Sequence, residues 1–85
     1  MSGPEHTLFH RIAEPESARI RSLVVELGLK ARIAFLNAET DGRDDLARLG
    51  GSRTPALWDG HSLTVGEDAV ARRLAAMQPD RDDGW

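Results

Sequence analysis

The residues best placed for chemistry form the short run Glu14-Pro15-Glu16-Ser17, which combines two carboxylates with a hydroxyl just before a helical pattern. The chain has 85 residues and no cysteine, so disulfides, thiol catalysis, iron–sulfur clusters and thiolate zinc sites are excluded. Neither carboxylate nor hydroxyl can replace a thiol in thiol–disulfide exchange, because that reaction requires sulfur to attack sulfur. The same residue types are also typical of helix capping and of charge that complements a helix dipole. The run can therefore be part of a functional site or only the start of a helix, and the sequence leaves both interpretations open.

The three histidines, His6, His10 and His61, are the other side chains with catalytic or metal-binding chemistry. Their spacing matches no metal-site pattern, and on a strand His6 and His10 would only share one face. All three are predicted to be surface or edge residues. The sequence therefore predicts no metal site and no resident cofactor.

The charge balance argues against nucleic acid as a partner. Fourteen acidic and 11 basic residues give a formal charge of −3, whereas a nucleic-acid binder usually carries a basic surplus or patch.

No apolar run reaches the roughly 20 residues that cross a bilayer. The first residues, Met1–His6, lack the charged start and apolar run of a signal peptide. We expect a soluble, cytoplasmic protein that binds neither nucleic acid nor membrane.

An alternation of strands and helices must position these side chains. Strands are predicted from β-prone runs, and helices from apolar stripes with Pro15 in a first turn and Gly28 as a stop. The predicted strands are Thr7–Ile12, Ala31–Asn37, Ala56–Trp58 and His61–Val65, and the predicted helices run from the turn at 13–17 to Gly28, over Asp44–Leu49 and over Glu67–Met77.

The resulting order, β-α-β-α-β-β-α, occupies one predicted domain, residues 6–78. The first βαβ unit predicts parallel strands joined by a right-handed crossover, and Asp59-Gly60 predicts a tight hairpin. The expected fold class is therefore α/β, with a four-stranded mixed sheet flanked by three helices and with Trp58 in the core or half-buried. Residues 1–5 are expected to be a flexible N-terminus. Residues 79–85 are expected to be a disordered acidic tail, whose Trp85 could dock on the domain or on a partner.

Three motifs in this order resemble the thioredoxin-type fold, and within it glutaredoxins and the N-terminal domains of glutathione transferases. Arg11–Arg21 is similar to the glutaredoxin run of a basic residue, two spacers, Cys-Pro-x-Cys and a helix with a basic residue on its first turns. Arg53-Thr54-Pro55 is similar to the Thr-Val-Pro segment whose proline is cis. Leu63–Asp68 is similar to the Gly-Gly-x-Asp segment of glutaredoxins and to the Glu-Ser pair of glutathione transferases.

The resemblance implies a site for glutathione without redox chemistry. Glu14 and Ser17 stand at the two former thiol positions. The family pairs the ligand backbone with the residue before the cis-proline, holds the γ-glutamyl end at the start of the last helix, and holds the glycyl carboxylate with basic residues. Carried over onto this chain, the implied ligand-binding residues are Arg11, Arg53, Thr54, Pro55, Gly66, Glu67 and Asp68.

The leading hypothesis is a redox-inactive domain that uses this groove for glutathione, a peptide or a protein partner. One alternative is a minimal enzyme similar to glutathione transferases, in which a hydroxyl would stabilise the bound thiolate. By helix register Ser17 lies one turn late for that role, and its side chain is expected to point along the helix. The other alternative is a structural subunit whose groove is an oligomer interface. The expected state is a monomer or a weak homodimer.

Overall fold

The computed structural model describes residues 5–77, which form one four-stranded sheet with three α-helices. The expected α/β class with a mixed sheet is therefore confirmed. The strands are β1 His6–His10, β2 Ile33–Asn37, β3 Ala56–Trp58 and β4 Leu63–Val65, and the helices are α1 Pro15–Glu26, α2 Arg43–Arg48 and α3 Glu67–Ala76. The expected acidic tail with Trp85 and residues 1–4 of the expected flexible N-terminus lie outside the described residues.

The strand order across the sheet is β2-β1-β3-β4. β1 pairs parallel to β2 and antiparallel to β3, and β4 returns antiparallel to β3. The predicted parallel βαβ unit and antiparallel hairpin are both present. β1 and β3 are neighbours and run antiparallel. The segment that follows β1 and the segment that precedes β3 therefore lie at the same end of the sheet.

The helices cover the two faces of the sheet unequally. Alternate side chains of β1 point to opposite faces, so Leu8 joins a core that includes residues of α1 and α3, whereas Phe9 joins a smaller core with Leu46 of α2. The residues of the larger core are Leu8, Ile20, Val24, Leu29, Ile33, Leu57, Val70 and Leu74. Packing of α1 against α3 brings their amino ends together beside the start of β3.

Helix α1 begins and ends as its sequence predicts. Pro15 occupies the first turn, and Ile20 and Val24 bury the expected apolar stripe. At the far end Gly28 has φ +70°, its N–H donates to the Val25 carbonyl, and the N–H of Leu29 donates to the Val24 carbonyl. These bonds form a Schellman motif, which ends the helix and directs Leu29 into the core.

The first two strands are shorter than predicted. β1 ends at His10, not Ile12, because the N–H of Arg11 donates to the Ser17 hydroxyl and leaves the ladder; Ile12 is 62% exposed. β2 begins at Ile33, because Lys30–Arg32 forms a 3-10 turn in which the Arg32 N–H donates to the Leu29 carbonyl.

The hairpin loop is longer than a two-residue turn. The Asp59 carboxylate accepts hydrogen bonds from the N–H groups of His61 and Ser62, both at 2.8 Å, so β4 begins only at Leu63. Those two backbone donors hold the pKa of Asp59 below its usual value, with help from the nearby Arg73 charge.

The two remaining helices differ from their predicted bounds by one residue, at both ends of α2 and at the carboxyl end of α3. α2 spans Arg43–Arg48 in place of Asp44–Leu49, and α3 ends at Ala76 with Met77 as its cap.

Candidate functional site

The loop between β1 and α1 delivers Glu14 to the start of the helix. The Glu14 N–H donates to the Arg11 carbonyl, and the Glu14 carbonyl accepts the N–H of Ala18, so Glu14 is the N-cap residue of α1. Its carboxylate makes no hydrogen bond to the helix amides. The side chain is therefore free to bind elsewhere, which the capping interpretation of the sequence did not anticipate.

The Glu14 carboxylate is the centre of a closed set of hydrogen bonds, here called the Glu14 network, formed by Arg11, Glu14, Ser17 and Thr54. Glu14 Oε1 accepts the hydroxyls of Ser17, at 2.5 Å, and Thr54, at 2.6 Å. The Thr54 hydroxyl in turn accepts Arg11 Nη1 at 2.8 Å, and the Ser17 hydroxyl accepts the Arg11 backbone N–H at 3.1 Å. Each hydroxyl thus donates once and accepts once.

Burial makes this network costly to open. Ser17 is fully buried and Thr54 is 9% exposed, so an unpaired hydroxyl there would forfeit its bond to water as well. The Ser17 hydroxyl is directed back toward Glu14, at the amino end of the helix. The Arg11 guanidinium also donates to the Ser52 carbonyl at 3.4 Å.

A groove of about 460 Å³ lies on the other side of Thr54. We call it the Pro55 groove; it is lined by Glu16, Arg53, Thr54, Pro55, Val65, Gly66, Glu67, Asp68, Ala69 and Arg72. Thr54–Pro55 is a cis peptide bond, as the resemblance implies. The Gly66 N–H donates to the Pro55 carbonyl at 2.9 Å, and Gly66 has φ +101°, a conformation that favours glycine. That bond fixes the start of α3 beside the proline.

Backbone groups along the Pro55 groove are available for a ligand. Within residues 5–77, neither the N–H nor the C=O of Thr54 forms a hydrogen bond. The first helical bond of α3 is donated by Val70 to the Gly66 carbonyl. The N–H groups of Glu67, Asp68 and Ala69 therefore have no partner in the helix, which gives the groove a partial positive charge.

The charged side chains of the groove fall into one paired acid and several unpaired groups. Glu67 accepts two hydrogen bonds from Arg19 of α1, at 2.6 and 2.8 Å, and these bonds lower the pKa of Glu67. Arg53, Asp68 and Arg72 form no ion pair with any residue that the structure describes. The groove thus offers free charges of both signs.

The structure separates the sequence-predicted residues into two neighbouring groups. Six of them line the Pro55 groove, namely Arg53, Thr54, Pro55, Gly66, Glu67 and Asp68. Arg11 lies with Glu14 and Ser17 in the Glu14 network and is absent from the groove lining. Thr54 belongs to both groups, because its side chain takes part in the network and the residue also lines the groove.

The prediction that all histidines are surface or edge residues is wrong for His10. His10 is 6% exposed, because β1 is an inner strand with β2 on one side and β3 on the other. Its ring packs edge-on against Phe35, with the centroids 5.7 Å apart, and accepts a hydrogen bond from Arg21.

Two arginines at or beside the groove were not singled out from the sequence: Arg72, which lines it, and Arg19, which pairs with the lining residue Glu67. Arg19 precedes its partner Glu67 by 48 positions, so only the packing of α1 against α3 brings them together. Arg72 lies one turn beyond Asp68 on the same helix, a spacing that places both on one face.

No protein-family model, curated protein or solved structure shows significant similarity to this chain. Within residues 5–77 no group of three acidic, histidine or cysteine side chains is arranged to hold a metal ion. None of the described helices is both long and apolar enough to cross a bilayer.

Proposed function

We propose that this chain is a redox-inactive domain of the thioredoxin-like, glutaredoxin type that binds glutathione in the Pro55 groove. The observation that carries the proposal is the juxtaposition of the unpaired Thr54 backbone with the free amides and charges at the start of α3. The parallel β1–β2 pair, the antiparallel hairpin and the cis-proline before β3 support the fold assignment.

The ligand chemistry follows from the two signs of charge in the groove. A γ-glutamyl end carries an ammonium and a carboxylate on one carbon. Asp68 suits the ammonium, while the α3 amides and the Arg72 guanidinium suit the carboxylate. The Thr54 N–H and C=O can pair with the ligand backbone as a short added strand. Arg53 remains for a second carboxylate.

The Glu14 network explains why the proposal is binding and not thiol chemistry. A hydroxyl that activates glutathione must donate to the bound thiolate. The Ser17 and Thr54 hydroxyls both donate to Glu14 already, and the Glu14 charge would repel a thiolate placed beside it. A ligand with a neutral or blocked thiol meets no such repulsion.

Titration of the isotope-labelled protein with reduced glutathione tests the proposal. We expect amide shifts concentrated at Thr54, Gly66 and Asp68, and an equal affinity for S-methylglutathione, because the free thiol makes no required contact. Loss of a hydrogen bond to a charged group costs about 1.5–3 kcal/mol, so Asp68→Asn should weaken binding roughly tenfold. Asp44→Asn, on the opposite face of the sheet, is the matched control.

Two results would contradict the proposal. Absence of shifts at millimolar glutathione would remove glutathione as the ligand, and shifts at the α2 face would place it elsewhere. Turnover of a glutathione mixed disulfide by the purified protein would show that the domain is not redox-inactive.

A further inference from the structure

One guanidinium holds the loop that carries the Glu14 network. Arg21, on the second turn of α1, donates from Nη1 to the Arg11 carbonyl at 3.2 Å and from Nη2 to the Ile12 carbonyl at 3.4 Å. The same Nη1 lies 3.0 Å from His10 Nδ1. Arg21 therefore joins the last residue of β1 to the two residues that turn the chain toward α1.

This contact fixes the protonation state of His10. A guanidinium has donors only, so His10 Nδ1 must offer its lone pair and carry no proton. The ring is nearly buried, between Arg21 and Phe35. Burial lowers the pKa of His10, and the positive charge of Arg21 lowers it further.

Within residues 5–77, no acidic side chain is paired with His10 to balance a positive charge on its ring. From α1 the facing group is Arg21, and from β2 it is the uncharged Phe35 ring. Among the described residues no carboxylate forms an ion pair or a side-chain hydrogen bond with His10. Protonation of Nδ1 must therefore break the contact with Arg21.

We propose that Arg21 is a positioning residue for the Pro55 groove, and that a neutral His10 holds it in place. Loss of the His10 contact releases the guanidinium from the Arg11 and Ile12 carbonyls. Arg11 reaches Thr54 through its side chain and Ser17 through its N–H, so movement of this loop alters how Thr54 presents its backbone to the groove. Ligand affinity then depends on pH through a residue that touches no ligand.

The direction of the effect follows from the pKa of His10. An unfolded histidine titrates near about 6.5, and the folded ring titrates lower. Above that unfolded value the ring is neutral in both states, and the Arg21 contact is intact. As pH falls below it, the unfolded chain binds the proton first and folding stability drops. The contact itself is lost as pH falls through the lowered pKa of folded His10.

The first test needs no ligand. We expect the amide signals of Arg11 and Thr54 to shift with the same midpoint as the His10 ring, and not with the ring midpoints of His6 or His61. His10→Asn keeps an acceptor close to the Nδ1 position but cannot titrate, so these amide shifts should disappear.

A second pair of variants separates His10 from its neighbours. Glu14→Gln keeps the acceptor oxygen and removes the carboxyl titration, so the shifts that follow His10 should persist. Arg21→Gln should move the Arg11 and Thr54 signals at pH 7 toward their low-pH positions, and Arg21→Lys should restore them in part. If Arg11 and Thr54 fail to follow the His10 ring, or if Glu14→Gln abolishes their shifts, the inference is overturned.

The ligand arm of the test rests on the proposed function. With glutathione as the probe, affinity should fall about fivefold as pH drops through the His10 midpoint, a coupling at the low end of the usual range, and should stay flat in His10→Asn. If glutathione fails to bind at any pH while the amide shifts still follow His10, the proposed function is refuted. The coupling of Arg21 to the loop is then still supported. Binding with the same pH dependence in both proteins refutes the coupling.

Discussion

Replacing Thr54 by valine removes one hydroxyl and almost no volume, so it tests the Glu14 network directly. In the native protein that hydroxyl accepts Arg11 Nη1 at 2.8 Å and donates to Glu14 Oε1 at 2.6 Å. Thr54→Val leaves the guanidinium and the carboxylate each without this partner. The rest of the fold has no reason to change, because valine fills the same space.

The expected magnitude follows from the two bonds and their exposure. A hydrogen bond to a charged group contributes about 1.5–3 kcal/mol. Two such bonds would set an upper limit, but the Arg11 side chain is 32% exposed and Glu14 is only half-buried, so water replaces part of the loss. We therefore expect Thr54→Val to lower the free energy of unfolding by about 2 kcal/mol.

Urea denaturation at pH 7 measures this loss, with Thr7→Val as the control. Thr7 lies in the same sheet, and its hydroxyl forms no hydrogen bond with residues 5–77, so its replacement should change stability by less than about 0.5 kcal/mol. Both variants should keep the native m-value. A double-mutant cycle with Glu14→Ala should give a coupling of about 1 kcal/mol or more. Equal losses in the two valine variants, or additivity in the cycle, would refute the network.

Two further predictions concern the start of α1 and the core. Glu14→Cys places the only thiol of the chain at a helix N-terminus, so the pKa of that thiol should fall below about 8.5. The control Ser22→Cys, on the exposed middle of α1, should keep the ordinary thiol pKa. Thiolate absorbance against pH measures both, and equal pKa values would show that the helix start does not favour the thiolate at position 14. Leu74→Ala removes a fully buried side chain and should cost about 2–5 kcal/mol in urea, while Val25→Ala, at a site 59% exposed, should cost little; similar costs would contradict the assigned core.

The helices could be predicted because their signals are local. Ile20 and Val24 repeat at helical spacing, Pro15 fits a first turn, and Gly28 can adopt the positive φ of a helix stop. Each of these features acts within a few residues of its neighbours. The structure reproduces the predicted α1 almost to the residue for that reason.

The strand ends could not be predicted because long-range partners decide them. Nothing near Ile12 in the sequence shows that the Arg11 N–H leaves the ladder for the Ser17 hydroxyl six residues later. His10 is buried only because β1 has a strand on each side, and strand order is not a local property. Leu29 follows a helix stop, outside any periodic run, yet it is fully buried.

The candidate site was predictable in outline but not in its contacts. The resemblance implied that Thr54, Gly66 and Asp68 belong to one site, and all three line the Pro55 groove. The assignment of Arg11 to that groove depended on side-chain direction, which spacing does not determine. Its guanidinium turns to the Thr54 hydroxyl instead.

Glutamate at position 14 has a physical role that links the Glu14 network to the proposed binding. An apolar residue there would leave the Ser17 and Thr54 hydroxyls without an acceptor, at about 1–3 kcal/mol for each buried group. A carboxylate accepts both, and its charge is favoured at the amino end of α1. It also keeps Thr54 oriented, with its hydroxyl turned inward and its backbone left open to the groove. A fixed anion at this point can therefore preserve the geometry of a binding groove in a domain that has no thiol.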